Sequence, residues 1–202
     1  MRAMSSAYST HVGPPGVGII KLPVAPLTTE QYLQMIDAGI FDSSQKVELI
    51  GGVITPMAPA GPDHNSSVVE LNEIFTKVID RFKLQSKGTL ALSEGHVFDP
   101  DFVLLQRKPE GYSRSLPTAA DVKLIVECAA SSLKRDRHVK RKIYAEAGIQ
   151  EYWIVDLTDK QLLVFRQPSA AGYEFEQAFG LGDSVAPLAC PDLEVQVAAI
   201  FA

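Results

Sequence analysis

The sequence predicts an α/β fold, a mixed sheet with helices packed on it, and three observations carry that reading. Short apolar runs of strand length recur at Phe102 to Leu105, Val122 to Val126, Tyr152 to Val155 and Leu162 to Phe165. Two longer segments with apolar residues at helical spacing alternate with those runs along the chain. The composition, 46% hydrophobic and 21% charged over 202 residues, suits a single substantial core.

Residues 1 to about 26 mix Gly, Pro, Ser and Thr without periodicity, and Pro14-Pro15-Gly16 breaks any helix. They form an arm, disordered or laid over a partner, ahead of one domain spanning 27–202. Thr28 or Thr29 caps a helix through Met35 to Ala38, with Tyr32, Leu33 and Ile36 on one face and Gly39 as its stop. Val47 to Ile50, Gly51-Gly52 and Val53-Ile54 predict a hairpin. Pro62-Asp63 opens the longest helical pattern, whose stripe runs through Val68, Leu71, Ile74, Phe75, Val78, Ile79 and Phe82. Strands follow near Thr89 to Leu92, Phe102 to Leu105 and Val122 to Val126. A second helix runs from Lys134 to Ala147 and closes at Gly148. Tyr152 to Val155 and Leu162 to Phe165 pair across the turn Leu157-Thr158-Asp159-Lys160. Segments around Tyr173 to Phe179 and Leu193 to Val197 complete the sheet.

No apolar run approaches the ~20 residues that span a bilayer, and no signal-like core follows Arg2. Cys128 and Cys190 have no paired spacing and read as reduced thiols, so a cytoplasmic protein is expected. A net charge of −5 counts against broad non-specific nucleic-acid binding. Even so, six of the nineteen basic residues fall in Lys134 to Lys142, a local patch compatible with a polyanionic substrate.

Chemistry concentrates on two carboxylates at strand ends. Asp101 heads the run Phe102 to Leu105, and Glu127 follows Leu124-Ile125-Val126. Each alone reads equally as a solvated strand-end acid; together they suit a divalent cation, because a carboxylate among apolar residues is costly unless paired or metal-bound. The helix beyond Glu127 adds a lysine. At about 100° per residue with Val139 at zero, Asp136 falls at about 60°, Lys140 at about 100° and Tyr144 at about 140°, inside the apolar arc. Arg135, His138, Arg141, Lys142 and Glu146 fall outside it. Lys140 therefore either snorkels along the arc beside Asp136 or lends its Nζ to a site. By alternation Glu48 faces away from Val47 and Leu49, onto a solvated face, and His64 opens the long helix as a cap, a packing residue or a ligand. No His-Glu-x-x-His or Cys-x-x-Cys spacing supports zinc, and Gly-Pro-Pro-Gly-Val-Gly at 13–18 lacks the context of a phosphate loop.

The stretch Ile125-Val126-Glu127-x-x-x-Ser131-Ser132-Leu133-x-x-Asp136-x-x-x-Lys140-x-x-x-Tyr144-Ala145-x-Ala147-Gly148-Ile149-x-Glu151-Tyr152-Trp153-Ile154-Val155-Asp156 resembles the Uma-two family of restriction-endonuclease-like proteins, within the PD-(D/E)XK nuclease superfamily. Pro100-Asp101 matches its "PD", Val47 to Ile54 resembles its "ELIDGEI", and His64 matches the histidine that opens its long helix. The resemblance covers roughly residues 27 to 200. It implies a restriction-endonuclease-like mixed sheet flanked by helices, with Glu48, Asp101 and Glu127 as acids for Mg²⁺ or Mn²⁺. The superfamily's usual lysine position is Ala129 here, and the resemblance assigns the role to Lys140, with His64, Asp136 and Tyr144 supporting it. Two departures bear on activity rather than fold: Ala129-Ala130 replaces polar residues found in relatives, and the segment from Lys87 to Asp101 is shorter than theirs.

The expected function is metal-dependent hydrolysis of phosphodiester bonds in nucleic acid, with DNA the first expectation. Lys134, Arg135, Arg137 and Arg141 are expected to touch its backbone. The rival is a non-catalytic binding or assembly module on the same fold. No membrane partner is expected. Exposed apolar strands near the C-terminus predict a homodimer.

Overall fold

The structure, a computed structural model, describes residues 9–11, 21–23, 25–42 and 45–202. These belong to two compact units, one made of the chain up to Met57 with Ser93–Val97, the other of Ala58–Leu92 and Phe98–Ala202. Most of the predicted arm lies outside the described residues; within it, β1 (Ser9–His11) pairs antiparallel with β2 (Lys21–Pro23).

In the first unit Thr28 caps α1 (Thr29–Asp37) through a reciprocal box with Gln31. Tyr32 is buried on that helix and its hydroxyl donates to the carbonyl of Val47 at 2.9 Å. β3 (Val47–Ile50) and β4 (Val53–Pro56) form the predicted hairpin. Gly51 and Gly52 have φ of 59° and 77°, the left-handed pair that a two-residue turn of this hand requires. The solvated face predicted for Glu48 is overturned, since only 1% of it is exposed. β3 is an inner strand, with Leu49 and Ile50 also paired to Val97 and His96. Its neighbours Glu48 and Leu49 are both buried, so both of its faces are covered.

The second unit opens with α2 (Pro62–Thr76), shorter than its apolar stripe predicts. The Thr76 hydroxyl donates back to the Asn72 carbonyl, Val78 lies in the following turn, and Phe82 begins β5 (Phe82–Gln85). Phe82 and Leu84 pack on the same core by strand alternation, so apolar spacing continues although the helix has stopped. The chain then runs through β6 (Leu90–Ser93) and β7 (His96–Phe98) to β8 (Phe102–Gln106) and β9 (Val122–Ala129). A continuous helical stretch follows: α3 (Leu133–Arg135), a π-helical turn (Asp136–Lys140) and α4 (Arg141–Glu146). Gly148, at φ 79°, ends it.

β10 (Glu151–Asp156), β11 (Gln161–Ser169) and β12 (Gly172–Phe179) complete a six-stranded mixed sheet in the order β12-β11-β10-β9-β8-β5. β9 and β10 are parallel and the other neighbours antiparallel. Leu193 to Val197 does not join this sheet as predicted. β13 (Ser184–Val185) and β14 (Val195–Gln196) make a separate pair before a 3-10 turn over Val197–Phe201. Turns at Pro187 and Cys190 divert the chain, and Leu193, Val195, Val197 and Ile200 plug the core instead.

One sheet face, with Phe102, Leu104, Val126 and Trp153, packs on Val68, Leu71 and Phe75 of α2. On the other, Tyr144 of α4 meets Tyr152 edge-on at 4.9 Å, and Tyr152 stacks on Phe165 at 5.6 Å. Tyr152 to Val155 and Leu162 to Phe165 are buried in this interior, whereas β12, nearer the C-terminus, is largely exposed. No helix among the described residues is long and apolar enough to cross a membrane.

Candidate functional site

Everything described at the site belongs to the second unit. β8 and β9 run antiparallel with Phe102 opposite Val126, so one step outward Asp101 stands opposite Glu127. Asp101 is 7% exposed and is held from two sides. His64 Nε2, in the first turn of α2, lies 2.9 Å from Oδ1, and the Cys128 backbone N–H donates to Oδ2 at 2.9 Å. His64 is thus neither a simple cap nor a lone ligand but the group that fixes the Asp101 carboxylate. Its Nδ1 is buried and has no hydrogen-bond partner among the described residues.

Glu127 sits inside β9 rather than at its end and is 4% exposed. Alternation turns it away from Val126 and Cys128, which pack in the α2-side core. Its Oε1 accepts from Lys140 Nζ at 2.9 Å and from the Tyr144 hydroxyl at 2.8 Å. Lys140 is 2% exposed, with Asp136 Oδ1 at 3.9 Å and the Phe98 ring at 5.5 Å from Nζ. Asp136 and Tyr144 are buried beside it. Strand alternation puts the small Ala129 on Glu127's face, and Lys140 reaches that face from the helix.

Lys140 points inward as predicted, whereas Val139, expected inside the apolar arc, is 41% exposed. The π turn, in which the N–H of Arg141 donates to the Asp136 carbonyl, takes up an extra residue and moves Val139 outward. The Cys128 thiol is pushed well up by burial, then by the neighbouring Asp101 and Glu127 charges, opposed by Lys87. No group of three or more His, Cys, Asp or Glu side chains among the described residues is arranged to hold a metal ion.

Two predicted backbone-contacting residues are engaged elsewhere. Arg137 and Arg141 both pair with Glu176 of β12, at 2.9 and 2.6 Å. Lys134 is exposed and Arg135 half-buried. Glu48 lies in the first unit, apart in chain from this cluster. Sequence reading missed the bond between His64 and Asp101, for which a separation of thirty-seven positions leaves no periodic signal. It also missed the Tyr144 hydroxyl on Glu127, which the spacing of four from Lys140 could have indicated.

The family model Uma2, described as "Putative restriction endonuclease", matches residues 29–198. Among solved structures, the crystal structure of a "putative nuclease belonging to DUF820" from Anabaena variabilis ATCC 29413 superimposes with a TM-score of 0.71 at 16% identity, covering 87% of this chain and 98% of that one. That likeness concerns the fold. None of the curated proteins matches the chain. With the family model spanning almost the whole of the described domain, the chain belongs to the Uma2 family.

Proposed function

We propose that the chain is a metal-dependent nuclease that hydrolyses phosphodiester bonds, with DNA as substrate. One observation carries the reading: a buried lysine, Lys140, 2.9 Å from a buried strand glutamate, Glu127, whose neighbouring strand presents Asp101 opposite it. A purely structural core rarely invests so many charges in one spot, because each must be desolvated.

Asp101 and Glu127 suit a Mg²⁺-class ion, which keeps several waters and uses one or two protein carboxylates with substrate phosphates. Asp101 and Glu127 would hold it, and it would polarise the scissile phosphate and acidify bound water. His64 and the Cys128 N–H orient the Asp101 carboxylate, and Tyr144 and Lys140 orient that of Glu127. Lys140 also carries the positive charge to balance the charge that builds on phosphoryl oxygens. Exposed Lys134 contributes to backbone attraction without reading sequence.

The test is plasmid cleavage with Mg²⁺ or Mn²⁺. Lys140→Met is expected to slow it about 100-fold or more, and Glu127→Gln to abolish it while retaining the fold by circular dichroism. Cleavage that survives both substitutions removes these residues from the mechanism. A second reading, a non-catalytic binding module, is favoured by the internal partners of both carboxylates: Asp101 has both oxygens engaged, and Glu127 Oε1 takes two donors. That reading predicts nucleic-acid binding without cleavage in any divalent ion.

A further inference from the structure

Lys87 follows β5 in the second unit, and its backbone is left-handed at φ 53°. Residues with a Cβ adopt that region rarely, and such residues cluster at functional sites. Two contacts tie Lys87 to the Asp101 side of the cluster. Its N–H donates at 3.1 Å to the carbonyl of Pro100, the residue before Asp101. Its Nζ reaches Asn65 Oδ1 at 3.4 Å, beside the His64 that fixes the Asp101 carboxylate.

Three other cations near the cluster are committed. Lys140 is bound to Glu127, while Arg137 and Arg141 are bound to Glu176. Lys87 is exposed and makes no ion pair among the described residues. An ammonium has three donors, and here one rests on a neutral amide, so the others are open to anionic oxygens. The exposed turn residue Lys160 shares the left-handed backbone, at φ 49°, so what sets Lys87 apart is its anchorage to Pro100 and Asn65, on either side of the His64–Asp101 contact.

We propose that Lys87 is a phosphate-contacting, positioning residue of this site, holding a backbone phosphate of the nucleic-acid substrate on the Asp101 side while Lys140 serves the Glu127 side. The inference rests on the nuclease reading and extends it to a residue outside the family motif.

The test uses Lys87→Gly, Lys87→Gln and Lys87→Arg in the full chain. Glycine suits the left-handed backbone, so the Lys87→Gly variant removes the charge without stressing the turn. Binding of a short labelled DNA duplex is followed by anisotropy in Ca²⁺ over a range of KCl, and plasmid cleavage is followed in Mg²⁺. The Gly and Gln variants are expected to bind about tenfold more weakly, with a slope of log K against log salt smaller by about one. KM should rise more than kcat falls, and Arg should restore binding. Affinity and slope unchanged in both variants, with wild-type protein binding and cutting, overturn the role of Lys87 alone. Wild-type protein that neither binds nor cuts nucleic acid overturns the nuclease reading and the Lys87 role with it.

Discussion

A single oxygen, Oε1 of Glu127, receives both Lys140 Nζ and the Tyr144 hydroxyl in a region closed to solvent. Removing that carboxylate takes from the buried lysine the oxygen it bonds at 2.9 Å. Glu127→Ala is therefore expected to destabilise the protein by roughly 3–5 kcal/mol in urea unfolding, whereas Glu127→Gln, which still accepts hydrogen bonds, should lose clearly less. Equal losses would mean that the ion pair contributes little to the fold. Cys128 offers a second residue-scale check. Its thiol is held well above the usual range by burial and by Asp101 and Glu127, and thiolate is the reactive species. Iodoacetamide in mildly alkaline buffer should leave it unmodified in the native protein, as read by mass spectrometry, and label it after denaturation.

At the scale of elements, the sequence disclosed most where period and punctuation agree. The hairpin around Gly51-Gly52, the capping box at Thr28 and the strand pair β10–β11 all follow from local pattern. It misled where a non-local choice decides. The stripe past Thr76 is equally served by a turn and a strand, and the π turn at Asp136–Lys140 has no composition signature. Lys140 was nonetheless legible, because it stays on the buried side in either geometry; Val139 was not, because it comes out exposed. Gly148 ends the helical stretch at φ 79°, with open space where a Cβ would sit. Gly148→Ala should thus cost only the backbone term, about 1 kcal/mol, measured as a small drop in the unfolding midpoint. A second buried pair joins β10 to β11: Arg166 lies 2.6 Å from Glu151, which also accepts from Trp153 Nε1 and the Leu188 N–H. This network was invisible in the sequence, since Leu188 joins it from a distant turn.

For the molecule as a whole, the site's carboxylates have internal partners, so the fold should not depend on a cation. EDTA is expected to stop cleavage while leaving the thermal midpoint nearly unchanged, and millimolar Mg²⁺ or Mn²⁺ should raise that midpoint by mass action. A collapse of the fold on chelation would contradict the arrangement described. The overall architecture, a mixed sheet with helices on both faces, was readable from the order of apolar runs; the division into two compact units was not, because Ser93–Val97 returns to the first unit through contacts without local signal. The most direct test of the central claim is calorimetric titration of Mn²⁺ into wild-type protein, Asp101→Asn, Glu127→Gln and Lys140→Met. Binding by the wild type that is lost in both carboxylate variants and retained in Lys140→Met is the predicted result. No binding at millimolar Mn²⁺, or binding indifferent to Asp101 and Glu127, would contradict it.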